Sequence, residues 1–267
     1  IERASIFPMK LHVASGSGNR FAYAIESEDF QLKDGPRWAQ ALKEHPAQVD
    51  GFFLLSPYRP GQSWVMTHWD TDGAETFCSN GTRAALALLQ IPHAEVVSCY
   101  SNQEQVFLKK DTEGDALNFS VDDRMGLFNV SLDLPYPYRY GFIGNPQLVI
   151  LMDVIVPFDL HHWAPPLRHH KIFPNGTNVN IVQMIRRGEA RIRSYERGVE
   201  RETACCGTGC AVAGAWLTEM TECTSWKFHT AQEPVHITLS SIQGGRWDNL
   251  WLSGPIRVEE AIEIELS

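Results

Sequence analysis

No apolar run in this chain approaches the roughly 20 residues that a membrane-spanning helix needs. Positive charge is also scarce: 23 Lys and Arg stand against 32 Asp and Glu, a net charge of −9. That sign argues against nucleic acid or an anionic membrane surface as partner. Cysteine is sparse, with six in 267 residues, too thin for a disulfide scaffold. No C-x-x-C pair occurs, and Gly207 and Gly209 break up any ligand spacing around Cys205, Cys206 and Cys210, so no metal is expected. His161, His162, His169 and His170 surround Trp163 to Pro166 and are read as surface residues. Ile1 to Ser5 lacks the apolar core of a secretory signal. With reduced cysteines, the expected compartment is the cytoplasm. No low-complexity linker interrupts the chain, so any domain boundary is compact.

What is present centres on two cysteines. Cys206 is followed by Gly207-Thr208-Gly209 and then by an alanine-rich run to Trp216. Upstream, Cys78 is followed by Ser79-Asn80-Gly81-Thr82 and an Ala/Leu run to Leu89. Both read as a cysteine at the mouth of a helix. Free N–H groups there favour an anion, and the position lowers a thiol pKa. The two lie 206 − 78 = 128 positions apart, close to half the chain. That spacing suggests two similar halves with one site between them. A buried cysteine on a packed helix is the bland reading of either alone. Repetition weighs against it, because packing does not ask for Gly or Asn after each cysteine.

Met9 to Val13 alternates like a strand, and Ser15 to Phe21 makes a turn carrying Asn19. Trp38 to Glu44 reads as a helix, Phe52 to Leu55 as a buried strand, Ser56 to Gln62 as a loop and Trp64 to Trp69 as a strand. The helix after Cys78 ends near Ile91-Pro92, and Lys109 to Asp115 reads as a hairpin end. Leu148 to Val156 is a buried strand; Asn178 to Met184 and Ala190 to Tyr195 alternate as strands. The expected boundary separates 1–132 from 133–254, with the tail 255–267 returning to the first half.

These patches resemble the diaminopimelate epimerase family. Gly18-Asn19-x-Phe21 is similar to its first substrate loop, and Asp72-Gly73 with Cys78-Ser79-Asn80-Gly81 to its first catalytic motif. Gly144-Asn145-Pro146 and Asn178 resemble further substrate-binding positions. Tyr195-Glu196-Arg197-Gly198, Glu202-Thr203 and Cys206-Gly207-Thr208-Gly209 resemble its most specific signature. The Arg201-Glu202-Thr203 spelling looks closest to chlamydial-type members. The resemblance implies an α+β fold of two pseudo-symmetric domains, each a curved sheet around a central helix, closing on a cleft. It implies a cofactor-independent amino-acid epimerase with Cys78 and Cys206 as the acid and base. The substrate would be held by Asn19, Asp70, Ser79, Asn80, Asn145, Asn178, Glu196, Arg197, Gly207 and Thr208. The partner expected is a small-molecule amino acid, with room for a homodimer.

Some residues depart from the family pattern. Asp70 stands where an Asn is usual, Gln147 where a His is usual, Arg20 for an Asp and Ser79 for a Gly. Asp70 and Gln147 keep a racemase of another amino acid open as an alternative. A non-catalytic amino-acid-binding protein and a thiol-redox protein are the alternatives from other classes.

Overall fold

The computed structural model describes residues 8–57, 64–89, 96–101, 104–110, 116–119 and 122–265. The loop read at Ser56 to Gln62 lies largely outside the described residues. So do the helix end at Ile91-Pro92 and the hairpin end at Asp111 to Asp115. The chain divides into two compact units, one of residues 1–115 with 256–267 and one of residues 116–255.

The first unit contains β1 (Met9–Gly16), β2 (Asn19–Ile25), α1 (Gly35–Leu42), β3 (Gly51–Ser56), β4 (Val65–Asp70), β5 (Glu75–Thr76), α2 (Ser79–Leu88), β6 (Val96–Ser101) and β7 (Glu104–Lys110). The second contains β8 (Leu117–Asn118), β9 (Gly126–Phe128), β10 (Tyr138–Phe142), β11 (Pro146–Leu151), α3 (Leu160–Arg168), β12 (Asn178–Arg186) and β13 (Glu189–Glu196). It continues with β14 (Arg201–Thr203), α4 (Gly207–Thr221), β15 (Ser225–His229), β16 (Val235–Thr238), β17 (Ser241–Gln243), β18 (Arg246–Asp248) and β19 (Trp251–Ser253). The tail strand β20 (Ile256–Ile264) pairs antiparallel with β1 in the first unit.

The division after residue 115 lies earlier than the expected one after 132. Pairing explains it: β8 binds β19 and β9 binds β10, so both short strands belong to the second unit.

The two units repeat one pairing scheme. In the first, β1–β2 is antiparallel, β2–β3 parallel, β3–β4 and β4–β5 antiparallel, β4–β6 parallel and β6–β7 antiparallel. In the second, β10–β11, β11–β12, β12–β13, β13–β14, β13–β15 and β15–β16 follow the same series. The cysteine helix follows β5 in one unit and β14 in the other. A pairing series of this length is the structural form of the 128-residue spacing.

Strand alternation gives each sheet two jobs. On one face, Phe52, Leu54 and Trp69 pack with Trp38, Ala39 and Leu42 of α1. In the second unit, Leu148, Ile150, Val179 and Ile181 pack with Leu160 and Ala164 of α3. The residues between them face the cysteine helices. Helix α4 is buried without a break from Gly207 to Thr218. A helix apolar on all sides belongs in a core, and its small residues let the sheet come close. Helix α3 was not legible in the sequence, because Pro165 and Pro166 lie inside it. Its start is held by Asp159, whose carboxylate accepts the His162 N–H at 3.1 Å. His161, His162 and His169 are exposed.

Gly81 and Gly209 set how near each helix start can lie to its sheet. A Cβ on Gly81 would stand 2.3 Å from Phe53 Cε2, and one on Gly209 2.2 Å from Asn180 Oδ1. Alanine would gain about 1 kcal/mol of helix propensity over glycine. Overpacking costs about 1–3 kcal/mol, and Phe53 cannot swing aside. Phe21, Tyr23 and His68 all lie against it, with ring centroids 5.3, 5.2 and 4.4 Å away. Because Phe53 is held on all sides, the overpacking cost falls at the upper end of that range, and Gly81→Ala is expected to lower unfolding free energy by about 2 kcal/mol net. A urea titration that finds the variant as stable as the parent would refute this account of the packing.

Candidate active site

Each cysteine occupies the N-cap of its helix in extended backbone, with φ −128° at Cys78 and −111° at Cys206. The Cys78 carbonyl accepts the Thr82 N–H at 3.0 Å, and the Cys206 carbonyl accepts the Cys210 N–H at 3.0 Å. The N–H groups of Ser79 and Asn80, and of Gly207 and Thr208, are thus the first of their helices. Cys78 is partly exposed, whereas Cys206 is buried.

In the first unit the predicted residues Asn19 and Asn80 meet. Asn80 Nδ2 donates to Asn19 Oδ1 at 2.9 Å. The wholly buried Arg83 donates to Asn80 Oδ1 at 3.3 Å and to Ser17 Oγ at 2.8 Å. Tyr23 donates its hydroxyl to the Gly81 carbonyl at 2.9 Å. Burial pushes the Tyr23 phenol well up, with a further rise from Cys78 and an opposing pull from Arg83. Asp70 ends β4, with His68 Nε2 3.9 Å from its Oδ1. This is no ion pair, since burial lowers the His68 pKa to about 3 and leaves the ring neutral. Thr76 Oγ1 lies 2.9 Å from its Nδ1.

In the second unit the predicted residues form one connected group. Arg197 donates from its guanidinium to Asn145 Oδ1 at 3.4 Å and to the Asn175 carbonyl at 3.1 Å. Its backbone N–H donates to Asn178 Oδ1 at 2.7 Å. Asn178 Nδ2 in turn faces Cys206 Sγ at 3.9 Å. The Glu196 carboxylate accepts the Thr203 hydroxyl.

Sequence reasoning missed three side chains here. Gln147, fully buried, donates to Thr208 Oγ1 at 2.8 Å and faces Cys206 Sγ at 3.8 Å. Asn180 and Ser194 lie behind it. Gln147 was visible only as a departure from a motif. Asn180 had one signal: two asparagines at alternate places at the start of a largely apolar strand.

One expectation is corrected. A helix start was expected to bring the Cys206 thiol down toward neutral pH. Its pKa instead lies well above the ordinary value, because burial penalises the thiolate and the Glu196 carboxylate repels it. The Thr208 hydroxyl and Gly209 amide lower it, and the neighbouring Cys205 adds a smaller rise. Desolvation of a fully buried thiolate outweighs these donors.

The model of the family described as diaminopimelate epimerase matches residues 141–247. A diaminopimelate epimerase of Rhodopseudomonas palustris (strain BisB18) is 31% identical over 82% of this chain and 87% of its own length. The chain belongs to the diaminopimelate epimerase family. One from Chlamydia muridarum is 28% identical over 75% of the chain and 74% of the relative. One from Flavobacterium psychrophilum is 26% identical over 92% and 96%. The fold is shared more widely. A phenazine biosynthesis protein of Bacillus anthracis superposes with a TM-score of 0.68 at 12% identity, over 97% of this chain and 99% of that one. A probable proline racemase of Agrobacterium radiobacter gives 0.66 at 14%, over 97% and 93%. The fold is α+β, and the chain is an isomerase of the epimerase kind. Among the described residues no helix is long and apolar enough to cross a membrane.

The buried His68 carries a pH signature. Its pKa is depressed from 6.5 to about 3, so the folded state binds fewer protons than the unfolded one between those values. The stability it contributes is full above pH 6.5 and is lost as pH falls toward 3. Between pH 6.5 and 5 the loss is about 2 kcal/mol, at about 1.4 kcal/mol per pH unit. His68→Phe should flatten the acid limb of a urea-midpoint profile by that amount; an unchanged slope would mean that His68 is not buried neutral.

Proposed function

We propose that this protein interconverts LL- and meso-diaminopimelate without a cofactor, using Cys78 and Cys206 as the two proton-transfer groups. One sulfur, as thiolate, takes the α-proton and becomes a thiol. The other, as thiol, gives a proton to the opposite face of the same carbon and becomes the thiolate. The observation that carries this reading is the repetition of a cysteine at a helix N-cap in both units. An α-proton of an amino acid is a very weak acid, and the charge that develops as it leaves falls on the carboxylate. The leading N–H groups of Ser79, Asn80, Gly207 and Thr208 suit that charge. Preorganised donors of this kind contribute about 3–4 kcal/mol each to a transition state.

Asn145, Asn178, Glu196 and Arg197 are assigned to the zwitterionic ends of the substrate, with Asn19 and Asn80 from the first unit. Arg197 already holds Asn145 by its guanidinium and Asn178 by its backbone. The relatives' names support diaminopimelate as the substrate, and hence a step in the supply of lysine or of cell-wall precursor. Free cysteines suit a cytoplasmic enzyme. A second reading, a racemase of a basic amino acid, is favoured by one observation: a carboxylate, Asp70, at a place where the family usually carries an amide.

The deciding experiment places the reduced protein in D₂O with LL-diaminopimelate, beside lysine, arginine, histidine, glutamate and aspartate. Deuterium at Cα and inversion of handedness are expected with diaminopimelate alone. Cys78→Ala and Cys206→Ala should each slow inversion by about 10²–10⁴-fold, the usual range for an acid or base. Exchange with another amino acid alone would move the substrate and keep the chemistry. Exchange with none would overturn the reading.

A further inference from the structure

We propose that Gln147 is a positioning residue that turns the Thr208 hydroxyl into a hydrogen-bond donor for the Cys206 sulfur, with Asn180 and Ser194 fixing which way its amide faces. The inference rests on reading Cys206 as a reacting thiol.

The amide orientations follow from one anchor. The Leu148 carbonyl can only accept, and it lies 3.1 Å from Asn180 Nδ2. The NH₂ end of Asn180 must therefore face it. The same nitrogen donates to Gln147 Oε1 at 2.8 Å. Asn180 Oδ1 is left to accept the Ser194 hydroxyl at 2.7 Å. With its oxygen engaged, Gln147 must present Nε2 to Thr208 Oγ1, 2.8 Å away. Thr208 then receives a hydrogen bond on its oxygen, and its own proton is free for Cys206 Sγ at 3.5 Å. A backbone N–H fixes Asn178 in the same manner: Arg197 N donates to its Oδ1, so Nδ2 faces the sulfur. Of the side-chain donors, the two amides at 3.8 and 3.9 Å are long contacts even for sulfur, and the Thr208 hydroxyl is the near one, beside the Gly209 N–H of the helix itself.

The other unit supplies a natural control. Gly51 and Asn178 are the first residues of β3 and β12; Phe21 pairs with Gly51 as Gln147 pairs with Asn178. Phe53 and Asn180 each lie two places on, under Gly81 and Gly209 respectively. His68 pairs with Phe53 as Ser194 pairs with Asn180. The places of the relay Gln147–Asn180–Ser194 are filled by Phe21, Phe53 and His68 in the first unit, rings in contact at 5.3 and 4.4 Å. The scaffold does not need an amide chain there for packing. The polar version stands only under Cys206.

The titratable groups that bear on Cys206 are Glu196 from β13 and the thiols of Cys205 and Cys210 on either side. Glu202 of β14 is occupied by Arg193 at 2.7 Å, and Arg197 by Asn145 and Asn175. None of these changes in the variants below.

The test reads Cys206 directly. Reduced protein, without substrate, is alkylated with iodoacetamide over a range of pH, and the peptides carrying Cys206 and Cys78 are followed by mass spectrometry. The midpoint is read rather than the rate, because a changed side chain also alters access. Gln147→Leu should raise the Cys206 midpoint by about one pH unit, a tenfold loss of thiolate at any pH below it. Gln147→His keeps an N–H donor and should stay near the parent. Thr208→Val should rise like Gln147→Leu, and it decides the matter if the leucine variant fails to fold. The Cys78 midpoint should not move in any of them. An unmoved or lowered Cys206 midpoint in the leucine or valine variant would overturn the proposal. A moved midpoint in a protein that exchanges no amino acid would sink the epimerase reading alone.

Discussion

The structure depends on the close approach of two helix starts to two sheets. Gly81 and Gly209 make the approach possible. At that distance the strand residue beneath the glycine decides what surrounds the cysteine one turn away. In the first unit it is Phe53, in the second Asn180. One scaffold thus builds an aromatic floor under Cys78 and an amide floor under Cys206. The two thiols are equivalent in backbone placement and unlike in what they rest on.

That difference has a direction. Burial and Glu196 hold Cys206 in its protonated form. At neutral pH it therefore rests as the thiol, and in the proposed reaction it would deliver a proton before it accepts one. A proton-transfer group must also carry the opposite charge state within the same cycle. Donors fixed before the reaction lower the cost of reaching it without any reorganisation. In the proposed arrangement, burial supplies the thiol and the amide chain makes the thiolate attainable. Cys78 is partly exposed, so water can do some of what Gln147 and Thr208 do for its counterpart.

Much of this was legible in the chain. The cysteines, the glycines after them and the 128-residue spacing are local or periodic signals, and local signals survive in a sequence. The Glu196-Arg197 step and Asn145 and Asn178 were expected the same way, through motifs, and the structure links Arg197 to both asparagines. Gln147, Asn180 and Ser194 were not, because their meaning lies in strand pairing between residues 33 and 14 positions apart. Each alone is an ordinary polar residue in a strand. Helix α3 was hidden for the opposite reason: Pro165-Pro166 is a strong local signal for a break, and packing of Leu160 and Ala164 on the sheet overrides it. The Cys206 thiol was misjudged because a helix start is visible in sequence and the depth of burial is not.

The repeated pairing also bears on Asp70. In the first unit Asp70 stands opposite Gly51, two places beyond His68 on β4. In the second, Glu196 stands two places beyond Ser194 on β13, at the end of the strand that pairs with β12. His68 and Ser194 hold matching places, so Asp70 and Glu196 do as well. A carboxylate at position 70 is thus not foreign to this architecture: the same scaffold carries one, Glu196, at the matching place, where its charge disfavours the Cys206 thiolate. Set against the usual amide, Asp70 makes the two units more alike in charge, while Gln147 makes them less alike in the floor beneath the thiol. The departure at 70 is as readily a matter of the charge around the reacting groups as of which side chain the substrate bears. Under the proposed function, substrate choice then rests on the groups that Arg197 holds together, Asn145 and Asn178.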